Sequence, residues 1–367
     1  MLLGRKIRDF ARCENNPRNS EGAFIEMEDK TIAFVYSRFR GNSKEDGATC
    51  DLAISYSYDG GETFSDGKVI LTPESCGASN LMSVSLIRLK DGNIGLFYLK
   101  KTADFNCVYY MRKTKDFISF SDEIRCIAED SYFVVNNDRV RRLNNGDLIF
   151  PSSRLDFKLV KNEKTGEMNA VHGEGVAVVY LSKDDGLTWQ KTAEIEMPFE
   201  NFKKGRDAGL LEPGVIELAN GSIYIHFRCA VGRQLESYSY DGGYTFTKPV
   251  PSRFTSPTSP MSTYKLKNGK IVVVYNPIPL YPGRVEGGEN YKTGGRTPYV
   301  LEVADENLGF INPVREIEND EKAGFCYTAM LETDEALLLA YCAGGVGDVG
   351  VLTRLRIKKI DKAELFQ

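Results

Sequence analysis

The chain has 367 residues, of which 42 % are hydrophobic and 27 % are charged, and its formal net charge is −4. This composition supplies a large core but gives no general attraction for nucleic acid or acidic membranes, so an anionic ligand needs a local arginine or lysine cluster. No segment has the apolar length of a membrane span, and the N-terminal residues lack the apolar run of a secretion signal. We therefore expect a cytoplasmic protein without membrane insertion.

Cysteine and histidine usage narrows the chemistry further. The 8 cysteines are scattered without Cys-x-x-Cys pairs, and the 2 histidines are His172 and His226. In a large chain without a secretion signal, such cysteines are predicted to be reduced thiols in the core. Two isolated histidines argue against a histidine-based metal site, so we predict neither a metal nor a cofactor.

Polar turns followed by apolar runs recur six times and predict six β-hairpins. In chain order, the turns are residues 28–30, 91–93, 145–147, 220–221, 268–270 and 333–334. Asn-Gly and Asp-Gly turns beside apolar runs are the strongest short-range hairpin signal. Helical periodicity is weak by comparison, which favours an all-β fold: a six-bladed β-propeller forming one domain over residues 1–367. A multi-sheet sandwich or a β-helix is the alternative.

An eight-residue motif follows the first, third and fourth hairpins. It occupies residues 57–64, 182–189 and 239–246, and each copy reads Ser-x-Asp-x-Gly-x-Thr-aromatic. Ser and Asp side chains bond nearby backbone in tight turns, Gly supplies positive φ, and the aromatic side chain anchors the turn. A shortened copy lies at residues 114–120, and Asp305 is a vestige after the fifth hairpin. The motif resembles the Asp-box (BNR repeat) of sialidase-type propellers, which implies that these turns lie on the outer edge, away from the active site.

The resemblance to the sialidase (neuraminidase) superfamily covers nearly the whole chain and implies a catalytic set of three residues. Asp46 precedes the first Asp-box where the family has its catalytic aspartate. The segment Leu-Glu-Pro-Gly around Glu212 resembles the one whose glutamate polarises the nucleophile, and Tyr327 matches the family's nucleophilic tyrosine. The resemblance therefore implies that Tyr327 attacks, Glu212 acts as its base and Asp46 is the acid/base.

Arginines matching the family's carboxylate-binding triad come from separate blades. The candidate substrate-binding residues are Arg18, Arg228, Arg296, Arg38, Arg40 and Arg139. The first three correspond to the triad, and we expect them to converge on one point. A sialoside carries a carboxylate on its anomeric carbon, and a planar guanidinium holds a carboxylate with paired charge-assisted bonds that lysine cannot reproduce.

The residue types suit this chemistry. The substrate's carboxylate would repel an attacking carboxylate, whereas a neutral tyrosine avoids that repulsion, and sialidases are the known exception to the two-carboxylate scheme. A phenol with a pKa near 10 needs an adjacent base, which is the role implied for Glu212. Asp46, held protonated, would donate to the leaving oxygen and then activate water.

Some residues depart from the family pattern. Asn19 and Ser20 stand where the family has isoleucine and proline, and Cys342 replaces a glutamate that orients the first triad arginine. Glu21 is the candidate substitute for that glutamate, acting on Arg18. These differences indicate a divergent branch with an altered preference among nonulosonic acids.

The leading functional hypothesis is an exo-acting sialidase that releases sialic acid with retention from a sialylated oligosaccharide or glycoconjugate. Two alternatives are a propeller glycosidase for another sugar, such as an arabinan or uronate, and a non-catalytic glycan-binding propeller. The arginines favour an acidic sugar, and the presence of Asp46, Glu212 and Tyr327 favours catalysis. We also expect Glu286, Asn290 and Tyr291, in a glycine-rich loop, to form the pocket rim.

Overall fold

The computed structural model describes residues 2–163, 165–199, 208–280 and 293–367. The strands in chain order are β1 (Arg5–Phe10), β2 (Asn19–Glu26), β3 (Ile32–Phe39), β4 (Cys50–Ser57), β5 (Lys68–Leu71), β6 (Asn80–Arg88), β7 (Ile94–Ala103), β8 (Asn106–Thr114), β9 (Ile124–Arg125), β10 (Phe133–Val134), β11 (Arg141–Arg142), β12 (Leu148–Lys161), β13 (Met168–Ser182), β14 (Gln190–Ile195), β15 (Leu211–Glu217), β16 (Ile223–Arg228), β17 (Arg233–Ser239), β18 (Val250–Thr255), β19 (Ser262–Lys265), β20 (Ile271–Tyr275), β21 (Tyr299–Ala304), β22 (Arg315–Glu318), β23 (Cys326–Glu332), β24 (Ala336–Cys342) and β25 (Leu355–Asp361). Short 3₁₀ helices lie at Glu74–Cys76, Val346–Asp348 and Val351–Thr353, and an α-helix lies at Lys362–Leu365. In the described part of the chain, no helix has the length and apolar character needed to cross a membrane.

Within the described residues, these strands form six antiparallel sheets arranged as the blades of a β-propeller, as predicted. Blades one, two, four and five are β2–β5, β6–β9, β15–β18 and β19–β22, each ordered outward from the centre. In blade three, β10 and β11 both pair with β12, which is followed by β13 and β14. The innermost strands of neighbouring blades pack together, for example β2 against β6 and β23.

The N-terminal strand closes the ring. Blade six is ordered β23, β24, β25 and β1, so its outermost strand is the first strand in chain order. Arg5 lies opposite Lys359, and Phe10 lies opposite Leu355. The sequence predicted that the last strand could pair with N-terminal residues but did not indicate which ones. The structure shows that β25 pairs with β1.

Hydrophobic clusters fill the interfaces between blades, because alternate residues of a strand face opposite sides of the sheet. In β20, Val272 and Val274 pack in the cluster shared with blade six. Ile271 and Val273 instead pack in the cluster shared with blade four. Among the described residues, equivalent clusters lie at the other four interfaces. The apolar runs seen in the sequence are therefore strands buried on both faces.

The Asp-box turns form as the motif predicts. Asp59 Oδ1 accepts hydrogen bonds from Ser57 Oγ at 2.8 Å and from the Thr63 amide at 2.9 Å. The copies centred on Asp184 and Asp241 repeat these bonds. At Gly61, where φ is +86°, a Cβ would lie 2.8 Å from a methyl group of Leu338 in blade six. The first Asp-box therefore needs glycine both for its conformation and for its close approach to the neighbouring blade.

The cysteine prediction is confirmed with one correction. All eight cysteines lie in the described residues and all are free thiols; seven are buried and Cys13 is exposed. Cys13 lies between β1 and β2, outside the sheets that make up the core.

Candidate active site

Three of the residues at the site occupy bulges in innermost strands. The register is interrupted in β2, β15 and β23, and Glu21, Glu212 and Tyr327 lie at these interruptions. Their φ angles are 48°, 44° and 62°. A bulge redirects a side chain, and positive φ at a residue with a Cβ is strained, a combination that clusters at functional sites. The backbone is therefore bent at the points where these side chains are presented.

A cavity of about 210 Å³ is lined by two of these three residues, Glu212 and Tyr327. Its described lining is Asp46, Tyr132, Val134, Leu155, His172, Leu211, Glu212, Arg228, Arg296, Tyr327 and Leu352. The three predicted catalytic residues and two of the triad arginines thus come together from distant parts of the sequence. Asp46 comes from the loop between β3 and β4, as expected.

Tyr327 and Glu212 are in direct contact. The Tyr327 hydroxyl donates a hydrogen bond of 2.7 Å to Glu212 Oε1, and Arg228 Nη1 lies 2.8 Å from Glu212 Oε2. Burial opposes ionisation of Glu212, but the charges of Arg228 and Arg296 outweigh it and lower the pKa of this carboxyl. Burial and the Glu212 charge together raise the pKa of Tyr327 well above its ordinary value. The pair is thus a neutral phenol hydrogen-bonded to a carboxylate that can accept its proton.

Arg296 lies against the same tyrosine. Its Cζ is 5.6 Å from the centroid of the Tyr327 ring, and its Nη1 donates a hydrogen bond of 2.9 Å to Cys326 Sγ. Burial opposes the charge of Arg296, but Cys326, Tyr327 and Glu212 raise the pKa of the guanidinium above its ordinary value. This arginine therefore keeps a full positive charge at the cavity wall.

Arg18 is engaged by carboxylates of the protein. Its side chain is 2 % exposed, and its guanidinium lies 3.0 Å from Glu21 and 2.7 Å from Asp46. Its Nε donates to Ser20 Oγ at 3.0 Å, and its Cζ lies 4.3 Å from the Phe39 ring centroid. Glu21 thus pairs with Arg18, as expected of a substitute for the glutamate that Cys342 replaces. Arg18 lies behind Asp46 and is not part of the described cavity lining.

The remaining candidate residues lie away from the described cavity lining. Arg38 is half-buried on β3, and Arg40 pairs with Asp51 at 3.1 Å and with Glu74. Arg139 is buried in the channel and donates to the Met261 carbonyl at 2.8 Å; burial and Arg141 lower its pKa to about 10. Their roles in substrate binding stay predictions. Glu286, Asn290 and Tyr291 lie outside the described residues.

Blade three contributes one side of the cavity, which the sequence did not indicate. Strands β12 and β13 have 14 and 15 residues, and their hairpin brings Leu155 and His172 to the lining. The ring of His172 lies 4.5 Å from that of Tyr132. These residues belong to no motif, and the length of the hairpin is the one feature that could have marked them.

Cavity size alone does not identify the site. A cavity of about 480 Å³ lies between the outer turns of blades one and two, where Tyr58 and Asp116 line it. A tyrosine and carboxylates also line a cavity of about 330 Å³, but in the described lining of neither cavity does a tyrosine hydroxyl donate a hydrogen bond to a carboxylate. Within the described residues, no group of three or more His, Cys, Asp or Glu side chains could hold a metal ion.

The six blades, the Asp-box turns and the Tyr–Glu–Arg cluster define a sialidase-like β-propeller. Residues 40–340 match the family model for the BNR repeat-like domain, and the chain belongs to that family. Comparison with curated protein sequences gives no significant match.

Solved structures show the same fold at low sequence identity. A Dyadobacter fermentans protein of unknown function is 17 % identical with a TM-score of 0.70, and the match covers 99 % of this chain and 100 % of that one. The NanB sialidase of Streptococcus pneumoniae is 12 % identical with a TM-score of 0.69, over 99 % of this chain and 71 % of the sialidase. The Trypanosoma rangeli sialidase, solved with the inhibitor DANA, is 16 % identical with a TM-score of 0.66, over 99 % of this chain and 59 % of that sialidase. This chain therefore spans little more than half the length of the trypanosomal protein.

Proposed function

We propose that this protein is an exo-α-sialidase that releases terminal sialic acid, or a related nonulosonic acid, from a glycoconjugate with retention of configuration. The observation that carries the proposal is the buried 2.7 Å contact between Tyr327 and Glu212 in a cavity that Arg228 and Arg296 also line. Two guanidinium groups beside a tyrosine–carboxylate pair suit a substrate whose negative charge lies next to the reacting carbon.

In the proposed first step, the substrate carboxylate binds between Arg228 and Arg296. The Tyr327 oxygen attacks the anomeric carbon while its proton passes to Glu212, and Asp46 donates a proton to the leaving oxygen. In the second step, Asp46 removes a proton from water as the water attacks the anomeric carbon. The bond to Tyr327 then breaks, and Glu212 returns the proton to the phenol.

In this scheme, Arg18 influences whether Asp46 is protonated. Before substrate binds, Asp46 lies 2.7 Å from Arg18, an arrangement that favours the ionised carboxylate. Asp46 must therefore take up a proton before it can donate one to the leaving oxygen, and its 44 % exposed side chain can take that proton from solvent.

The engagement of Arg18 also supports a second candidate, a glycosidase for another acidic sugar such as a uronate. With Arg18 held by Glu21 and Asp46, two triad arginines remain in the described cavity lining. That pair suits a carboxylate at another ring position as well. A neutral arabinan fits this charged cavity less well. A purely binding protein would have no need for the strained tyrosine–carboxylate pair.

Hydrolysis of a fluorogenic aryl sialoside, with the product anomer followed by NMR, tests the proposal. We expect the α-anomer first and loss of turnover by about 10³-fold or more in Tyr327→Phe. The matched control is Tyr98→Phe, because Tyr98 is a buried tyrosine that donates to Glu123 at 2.7 Å outside the cavity. Turnover of an aryl uronide but not of a sialoside would favour the second candidate, and equal losses in the two variants would contradict both.

A further inference from the structure

Two buried cysteines face each other beside the proposed nucleophile. Cys326 on β23 lies directly opposite Cys342 on β24, and both are free thiols with 0 % exposure. Directly opposed residues of antiparallel strands have Cα atoms about 4.5–5.5 Å apart, within the range of about 4.4–6.8 Å that disulfides require. The backbone therefore already has the spacing that a bond between these two sulfurs needs.

The two sulfurs are chemically unequal. Cys326 Sγ accepts the 2.9 Å hydrogen bond from Arg296, whereas no such guanidinium contact is described for Cys342. Burial opposes ionisation of Cys326, but the neighbouring Cys342 thiol and the Arg296 charge lower its pKa, whereas burial raises the pKa of Cys342 well above its ordinary value. Disulfide formation begins when one thiol ionises, because the thiolate is the reactive nucleophile, and the lowered pKa favours Cys326 for that step.

The cavity lies next to this cysteine pair. Cys326, Tyr327 and Cys342 form one buried cluster, and Leu352 packs against it. Arg296 and Leu352 both line the cavity. Between a hydroperoxide in the cavity and the Cys326 sulfur thus lies the Arg296 guanidinium, which donates a hydrogen bond to that sulfur.

We propose that Cys326 and Cys342 are a redox modification site, in which a hydroperoxide converts the dithiol into a reversible disulfide. The Cys326 thiolate attacks the peroxide, the O–O bond breaks, and the distal oxygen leaves as water or an alcohol after protonation. The resulting sulfenic acid is attacked by the Cys342 sulfur; the S–S bond forms, and the sulfenic oxygen leaves as water with the Cys342 proton. Two sulfurs are oxidised while one hydroperoxide is reduced.

The disulfide changes the environment of Arg296. A disulfide sulfur cannot ionise and is a weaker acceptor, so the hydrogen bond from the Arg296 guanidinium to Cys326 is weakened. The same guanidinium lies over the Tyr327 ring. Oxidation therefore lowers any activity that depends on Arg296, and a thiol reductant restores it. This consequence rests on the proposed function, whereas formation of the disulfide does not.

The test uses the full chain carrying Cys13→Ser, which removes the exposed thiol. After hydrogen peroxide treatment and denaturation, alkylation and mass spectrometry should show a loss of two hydrogen atoms and two fewer alkylated cysteines, with Cys326 and Cys342 peptides linked. Cys342→Ser should prevent the link, whereas Cys126→Ser, which changes a buried cysteine elsewhere, should leave it intact. Absence of the link in the protein with both cysteines would overturn the proposal without bearing on hydrolysis.

Activity on an aryl sialoside separates the two proposals. We expect oxidation to lower turnover at least about 10-fold and dithiothreitol to restore it. In Cys342→Ser the Cys326 sulfenic acid has no thiol partner, so prolonged peroxide treatment should oxidise it further and cause a loss that dithiothreitol does not reverse. Linked peptides without a change in turnover would overturn the coupling to Arg296. Linked peptides in a protein that is inactive even when reduced would support the dithiol and count against the proposed function.

Discussion

Replacing Glu21 with glutamine tests how this chain holds its first triad arginine. Glu21 is buried, lies 3.0 Å from Arg18 and accepts a 2.6 Å hydrogen bond from Ser83. An amide keeps the shape and one acceptor oxygen but removes the charge. Of the two carboxylates that pair with Arg18, only that of Asp46 then remains to balance its positive charge. The Asp46 side chain is 44 % exposed.

The expected cost follows from this geometry. Two unit charges about 4 Å apart interact by about 4 kcal/mol at an effective dielectric constant of 20. Removing one partner of a buried pair usually costs about 3–5 kcal/mol, because the other charge is left without compensation. Asp46 supplies part of that compensation, although solvent screens it. We therefore expect Glu21→Gln to lower the free energy of unfolding by about 2–4 kcal/mol.

Urea unfolding and kinetics on a poor-leaving-group sialoside measure the two consequences. Arg18 should bind Asp46 more strongly once Glu21 is neutral, which disfavours the protonated acid and lowers kcat. The matched control is Glu318→Gln: Glu318 is buried and lies 2.9 Å from Arg356, outside the cavity. It should lose comparable stability but keep the kcat of the folded protein. A stability change below about 0.5 kcal/mol in Glu21→Gln, with unchanged kcat, would refute this reasoning.

Three further predictions concern the cavity. Asp46→Asn should slow sialosides with poor leaving groups far more than aryl sialosides, whose leaving group hardly needs protonation; equal losses on both would exclude the acid/base role. Arg296→Lys should lower kcat/KM by about 10- to 150-fold, which corresponds to about 1.5–3 kcal/mol for a charge-assisted bond, and unchanged kinetics would remove this arginine from substrate binding. Burial raises the pKa of Glu212, but the charges of Arg228 and Arg296 outweigh it and lower that pKa below the ordinary 4.5. The acid limb of the pH profile of kcat/KM should therefore lie below pH 4.5, and it should move to higher pH in Arg228→Gln. The pKa of Glu212 is lower in the folded protein than in the unfolded chain. The stability that this carboxylate contributes is therefore fully present above its pKa in the unfolded chain and is lost as pH falls through its pKa in the folded protein. An acid limb of kcat/KM above about pH 5 would contradict this assignment.

The fold could be predicted because its signals are local and repeated. Each hairpin turn sits beside an apolar run, and each Asp-box fixes a turn through bonds within a few residues, such as Ser57 to Asp59. Such contacts need no knowledge of the rest of the chain. The pairing of β1 with β25 joins the first and last strands in chain order, so no local pattern could specify it.

The candidate site could be predicted only where segments of the sequence resemble family motifs. Asp46, Glu212 and Tyr327 stand in recognisable segments, and the structure places them around one cavity. The bulge that gives Tyr327 positive φ depends on strand register, which the sequence around it does not reveal. The contact between Arg296 and Cys326 likewise depends on the packing of two blades.

The strand that completes blade six also determines how the ring responds to force. Arg5, at the beginning of β1, lies opposite Lys359 near the end of β25. Tension applied to the chain before β1 and after β25 therefore acts at one end of their antiparallel ladder and breaks its hydrogen bonds one after another, as in peeling, instead of shearing them all together. The ion pair between Arg356 and Asp9, 2.8 Å apart, lies toward the far end of that ladder and is loaded late. A pulled propeller should thus open at its sixth blade by gradual peeling at low force, while the remaining five blades are still folded.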